Sequence, residues 1–238
     1  MKKISIAILI ICLFGSVRTH ASYKVYVVHG YGGLGLELNE IHKSIKEQGY
    51  ESEIYTYPSL IKDIDSVGVE LFHKIQQEGI DTVSFVTHSM GGMVVRSLYS
   101  HLHKGINFPF IHRIVMIAPP NNGSPVADSL EQYELIRFLV GPNIVNLTTD
   151  TLTGAHKYPI PTAELGVIIG IADREKWMYS VPLIGDNDGV VMAESAKMGV
   201  EKDIVYVKAS HIALVFNEEV RKQVVYFLKE GVFERIDN

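Results

Sequence analysis

Ser89 lies in Thr87-His88-Ser89-Met90-Gly91-Gly92, between an apolar run at residues 82–86 and the stretch Met93-Val94-Val95-Arg96-Ser97-Leu98. Strand, serine and helix in that order form a nucleophile elbow, a turn so sharp that the serine is strained and its hydroxyl is pushed into the open. The flanking residues must be small, and Thr87 and Gly91 are, although the strict pattern has glycine at both places. A serine hydroxyl is a weak nucleophile near neutral pH, so it needs a base beside it and a third group to fix the tautomer of that base. Asp186-Asn187-Asp188-Gly189-Val190-Val191 and Ser210-His211-Ile212 come later in the chain, each after an apolar run. The order serine, aspartate, histidine is that of strand-to-helix elbows, with His211 as base. Asp188 is preferred as the acid because Gly189 lets the chain turn away after it, while Asp186, two residues earlier, is the alternative.

Attack by Ser89 on a carbonyl creates an oxyanion that needs amide donors. The residue after the nucleophile, Met90, offers one at a helix N-terminus, where the dipole also favours negative charge. The second is expected from the backbone N–H of Tyr31, in the supporting loop His29-Gly30-Tyr31-Gly32-Gly33, whose glycines allow close backbone approach. These glycines lack the dinucleotide fingerprint, and no phosphate-loop lysine and hydroxyl pair accompanies them. Of the other histidines, His42, His73, His101, His103 and His112 read as solvated or locally bonded. His88 points away from its neighbour on the elbow, and His156 is a candidate substrate contact. No histidine and acid spacing matches a zinc motif, so no metal or cofactor is expected, and calcium at Asp186 and Asp188 has little behind it.

These residues must be carried by a regular frame. Aromatic and β-branched runs at residues 23–28, 51–57, 82–86, 112–118, 165–171 and 204–207 read as strands. Helical spacing occupies residues 37–48, 61–77, 90–103 and 218–229. Strands alternating with helices argue for one doubly wound α/β sheet of about six parallel strands, covered on both faces. The alternation breaks at residues 121–161, where a helix is expected around 126–140, and so long a stretch without a strand suggests a cap or functional loop. Tyr133, Leu135, Phe138 and Leu139 there, and Trp177-Met178-Tyr179 before the acid loop, could line an acyl pocket or belong to the core. Ligands of such sheets bind beyond the carboxyl ends of the strands, where residues 29–30, Ser89 and His211 all fall.

The chain has 238 residues, 47% hydrophobic and 21% charged, enough for one domain over residues 22–238. Residues 1–21 read as a secretory signal: Lys2 and Lys3, an apolar stretch at 4–14, and Thr19-His20-Ala21 as cleavage site. That stretch is shorter than the roughly 20 apolar residues of a membrane span, so no stable transmembrane anchor is expected. Export would end in the periplasm or outside the cell. Cleavage removes Cys12, the one cysteine, which excludes disulfides, a thiol nucleophile and thiolate metal sites from the mature protein. It also removes Lys2, Lys3 and Arg18 with no acid, taking the formal charge from -5 to -8, a poor match for nucleic acid or anionic membranes.

Taken together the motifs resemble the α/β-hydrolase superfamily, in particular compact bacterial lipases and related serine esterases. The likeness rests on the loop at His29, the elbow at Ser89, Ala118-Pro119-Pro120-Asn121-Asn122-Gly123-Ser124, Asp188-Gly189-Val190-Val191 and Ser210-His211. In the third, Pro120 stands where such hydrolases commonly have histidine. The resemblance implies Ser89 as nucleophile, His211 as base, Asp188 as acid, and Tyr31 and Met90 as oxyanion donors. It implies hydrolysis of a small-molecule or lipid carboxylic ester through an acyl-enzyme. Acyl transfer or thioester cleavage on the same triad, and a non-catalytic binding protein on a retained fold, are the alternatives.

Overall fold

The computed structural model describes residues 22–134, 141–172 and 183–235. The expected signal at 1–21, Leu135, Phe138, Leu139 and Trp177-Met178-Tyr179 lie outside them. Six strands, β1 (Tyr23–Val28), β2 (Glu51–Tyr55), β3 (Thr82–His88), β4 (Phe110–Ile117), β5 (Glu164–Gly170) and β6 (Asp203–Val207), form one sheet in the order β2-β1-β3-β4-β5-β6. Every pairing is parallel.

Alternation along the strands builds two cores. Tyr26 and Val28 of β1 and Phe85 of β3 face α2 (Ile64–Glu78) and α3 (Gly91–Tyr99). Val25, Val27 and Val86 face α1 (Asn39–Glu47) and the last helix, Glu218–Glu230. Both faces are thus sealed, as the apolar runs of the strands require.

Helix ends obey local chemistry. The Asp63 carboxylate accepts from the Ser66 N–H at 2.9 Å and starts α2 three residues later than periodicity alone suggests, and Gly79, at φ 66°, stops it. Asn217 caps the last helix by accepting from the Glu219 N–H at 2.8 Å.

The chain leaves β1 towards β2 on one side and resumes at β3 on the other, so the order reverses between β1 and β3. That switch point, at the carboxyl ends of two adjacent strands, leaves a crevice between the loop after β1 and the elbow after β3.

Between β4 and β5 the described residues form α4 (Pro125–Glu131), α5 (Asn143–Asn146) and a single 3₁₀ turn at Ala155–Lys157. Two buried polar side chains tie this stretch to the sheet's carboxyl end. Asn143 donates to the carbonyls of Ser59 and Lys62 and accepts from the Ile64 N–H. Arg96, buried in α3, donates to the carbonyls of Asn121, Tyr158 and Pro159 at 2.7, 2.6 and 3.0 Å. Burial lowers the Arg96 pKa to about 10, which still leaves it a cation held by carbonyl dipoles. No helix among the described residues is long and apolar enough to cross a membrane.

Candidate functional site

Ser89 stands in the left-handed region at φ 52°, rare for a residue with a side chain, and its amide donates to the Ile117 carbonyl at 2.8 Å. Two glycines make the turn feasible. A Cβ on Gly91 would collide with the Val28 carbonyl oxygen, and one on Gly30 would come within 2.9 Å of the Ser89 Cβ. Glycine is therefore required at 91, where α3 starts against β1. Thr87, on the other side of the serine, is buried in β3, and its hydroxyl is 3.4 Å from where a Cβ of Gly92 would stand, so a threonine fits.

His211, after β6, brings the expected residues together. Its Nε2 is 2.9 Å from Ser89 Oγ and its Nδ1 2.7 Å from Asp188 Oδ2. Asp188 is 1% exposed; its other oxygen accepts from the amides of Val190 and Val191 at 2.9 and 2.7 Å. An ionised carboxylate is acceptor-only, so Nδ1 carries the imidazole proton and Nε2 is left to accept one from the serine hydroxyl. The His211 N–H also donates to the Asp188 carbonyl at 2.8 Å. Asp186 is exposed and takes no part in this chain of bonds. Gly170, at the end of β5, leaves room for the acid: a Cβ there would meet the Asp188 Cβ at 2.8 Å.

His88 takes a part that its position in sequence does not reveal. It is buried, and its Nε2 donates to the His211 carbonyl at 3.2 Å, with the two rings 4.9 Å apart. Burial, reinforced by the His211 imidazole, pushes the His88 pKa down to about 3. A histidine buried neutral must take up a proton on unfolding below its ordinary value of about 6.5. Its stabilisation is therefore complete above pH 6.5 and lost as pH falls towards 3, at up to about 1.4 kcal/mol per pH unit. Urea unfolding at pH 7 and pH 5 should show the loss, and His88→Gln should flatten this part of the slope.

The loop after β1 is held by His29 and Tyr57. The Tyr57 amide donates to His29 Nε2 at 3.2 Å, which leaves Nδ1 to donate to the Gly30 carbonyl at 2.8 Å. The Tyr57 ring stacks on the imidazole at 4.2 Å, and its hydroxyl donates to the His29 carbonyl at 2.7 Å. The Gly33 amide also reaches the Gly30 carbonyl, at 3.3 Å, and the Gly32 amide donates to Ser59 Oγ at 3.0 Å. A trans peptide is planar, so fixing the Gly30 carbonyl fixes the direction of the Tyr31 N–H on the opposite side of the same plane. Met90, the residue before α3, is itself in helical conformation, with its N–H at the positive end of the helix.

A cavity of about 220 Å³ opens beside Ser89. Ala127 and Leu130 of α4, Ile144 and Leu147 of and after α5, and Val190 and Val191 of the acid loop make it apolar. Tyr133, expected in an acyl pocket or the core, is 60% exposed and lines no part of the cavity. His156 is exposed and away from it too. Among the described residues no three His, Cys, Asp or Glu side chains are grouped to hold a metal ion. What the arrangement offers is a hydroxyl that can lose its proton to a held imidazole, beside an apolar cavity.

A family described as "Alpha/beta hydrolase of unknown function (DUF915)" matches residues 70–231. No curated protein matches the chain by sequence. Among solved structures, Bacillus licheniformis lipase BlEst2 in mature form aligns with a TM-score of 0.64 at 18% identity, over 88% of this chain and 91% of that one. Staphylococcus hyicus lipase aligns at 0.59 and 16%, over 88% and 94%. The metagenomic carboxyl esterase MGS0156 aligns at 0.59 and 17%, over 82% and 66%. At these identities the likeness is one of fold.

Proposed function

The chain belongs to a family of α/β hydrolases of unknown function, and on that footing we propose that it is an exported serine hydrolase of carboxylic esters. The observation that carries this reading is the unbroken chain Ser89 Oγ, His211 Nε2, His211 Nδ1, Asp188 Oδ2, at 2.9 and 2.7 Å, beside an apolar cavity. Ser89 Oγ attacks the ester carbonyl while its proton passes to His211 Nε2, and Asp188 stabilises the imidazolium. The amides of Tyr31 and Met90 receive the oxyanion. Collapse breaks the bond to the alcohol, which leaves with the proton from Nε2. Water, deprotonated by the same imidazole, then releases the acid and restores Ser89.

Hydrolysis of p-nitrophenyl butyrate by the mature protein, monitored by p-nitrophenolate release, tests the reading, and a purified folded protein without turnover would refute it. The oxyanion loop has its own test. Burial pushes the Tyr57 phenol above its ordinary pKa and keeps it a donor to the His29 carbonyl. Tyr57→Phe removes that bond, and kcat should fall by about tenfold with KM changed by less than about twofold, since donors aimed at the oxyanion act in the transition state. An unchanged kcat would mean that the loop needs no such support.

Export is supported by the signal pattern of residues 1–21 and by the contact that Ser22 makes directly after it. The Ser22 N–H donates to Asp81 Oδ2 at 2.9 Å. Cleavage after Ala21 would turn that nitrogen into an ammonium beside a carboxylate, strengthening the contact. The intact mass of protein secreted by an expressing bacterium should begin at Ser22; a retained full-length chain would contradict export.

A further inference from the structure

A second cleft, of about 330 Å³, opens between the loop after β1 and the residues after His211. It shares Tyr31, His88 and Ile212 with the cavity beside Ser89, so the two spaces adjoin. Leu34 and Leu36 form one wall and Ile212 and Val215 the other. Leu34, Leu36 and Ile212 are 74%, 69% and 52% exposed, apolar side chains in water at the edge of the site. Resting on the ester-hydrolase reading, we infer that this cleft binds the alcohol portion of the substrate and selects esters of neutral, apolar alcohols.

The assignment comes from which residues line which space. Ser89 and His211 line the first cavity and not the second. The acyl group, once bonded to Ser89 Oγ, must stay in the space that Ser89 itself lines. The alcohol must leave towards solvent past the imidazole that protonates it, and Ile212, the residue after that imidazole, lines both spaces and so leads from the first into the second. Its charge narrows the class further. Among the described residues Glu37 lines the cleft with no Lys or Arg, and its carboxylate lies over the oxyanion loop, where it would collide with a Cβ on Gly33. A phosphate on the alcohol would meet a like charge there, whereas an alkyl chain would cover Leu34, Leu36 and Ile212.

The test is kcat/KM for methyl, hexyl and 2-phosphonooxyethyl butyrate, each below its aggregation concentration. The acyl group is constant and methanol and hexanol differ little as leaving groups, so the ratio of rates reads the alcohol side. Hexyl butyrate should exceed methyl butyrate by about tenfold, because up to five methylenes cover apolar surface in a half-open cleft. The Leu34→Ser, Leu36→Ser double variant should bring that ratio within about twofold of one, and because the ratio is internal a loss of folded fraction does not move it. The phosphate-bearing ester should lie about tenfold below methyl butyrate, and Glu37→Gln should raise it by several-fold. A wild-type hexyl preference within about twofold of one, or one retained in the double variant, overturns the subsite while hydrolysis stands. If none of the three esters is turned over, the hydrolase reading itself falls.

Discussion

Ser89→Ala should lower kcat/KM for p-nitrophenyl butyrate by about 10⁴- to 10⁶-fold, the range over which loss of a hydroxyl nucleophile removes the chemistry while binding and oxyanion contacts remain. The fold should survive. Ser89 is held by its backbone, through the amide bond to the Ile117 carbonyl and the Gly92 amide bond to its own carbonyl at 3.0 Å, and alanine keeps both. The left-handed φ of 52° is as available to alanine as to serine, so no new backbone strain enters. What is lost is the partner of His211 Nε2 at 2.9 Å, and that nitrogen faces the cavity, where water can replace it. Thermal unfolding should therefore move little while turnover disappears. Parallel loss of both would point to a structural serine.

Asp188→Asn should cost about 10⁴-fold in kcat, by a different route. The substituted amide keeps one oxygen for the Val190 and Val191 amides, at 2.9 and 2.7 Å, and so presents its nitrogen to His211 Nδ1. A nitrogen donor there forces the proton onto Nε2, the side that must accept from Ser89. The relay keeps its shape and has the wrong tautomer. Asp186→Asn should leave kcat within about twofold, because that carboxylate is exposed and no bond ties it to the imidazole. The pair of variants thus decides between the two acids, and a larger effect at Asp186 would reverse the assignment. Steady-state kinetics at pH 7 to 8 suffices.

The frame is legible in the sequence because burial on both faces leaves long apolar runs in β1, β3, β4 and β5, and because helical spacing alternates with them. Ser89, Asp188 and His211 are legible for a related reason: each comes after a strand, and all strands of a parallel sheet end on the same side. What local pattern does not encode is which side chains meet across those ends. Two carboxylates two residues apart look alike until the turn buries Asp188 and exposes Asp186. His29 and Tyr57 are 28 positions apart and meet only because β1 and β2 are neighbours, paired Val28 to Tyr55. The cavity wall at Ile144 and Leu147 depends on Asn143, whose carboxamide anchors α5 to the loop after β2. Tyr133 satisfies helical spacing yet stays in solvent, since α4 ends at Glu131. His88 stands next to the serine and so reads as a poor base, and that same adjacency lets its ring reach behind the elbow to the His211 carbonyl.

The central claim is that Ser89 is an activated nucleophile, and peptide mass spectrometry after treatment with a fluorophosphonate probe tests it without any choice of substrate. One adduct per chain is expected, on the peptide carrying Ser89, absent from Ser89→Ala and strongly slowed in His211→Ala. A folded protein that takes no label, or takes it on another serine, would contradict the account.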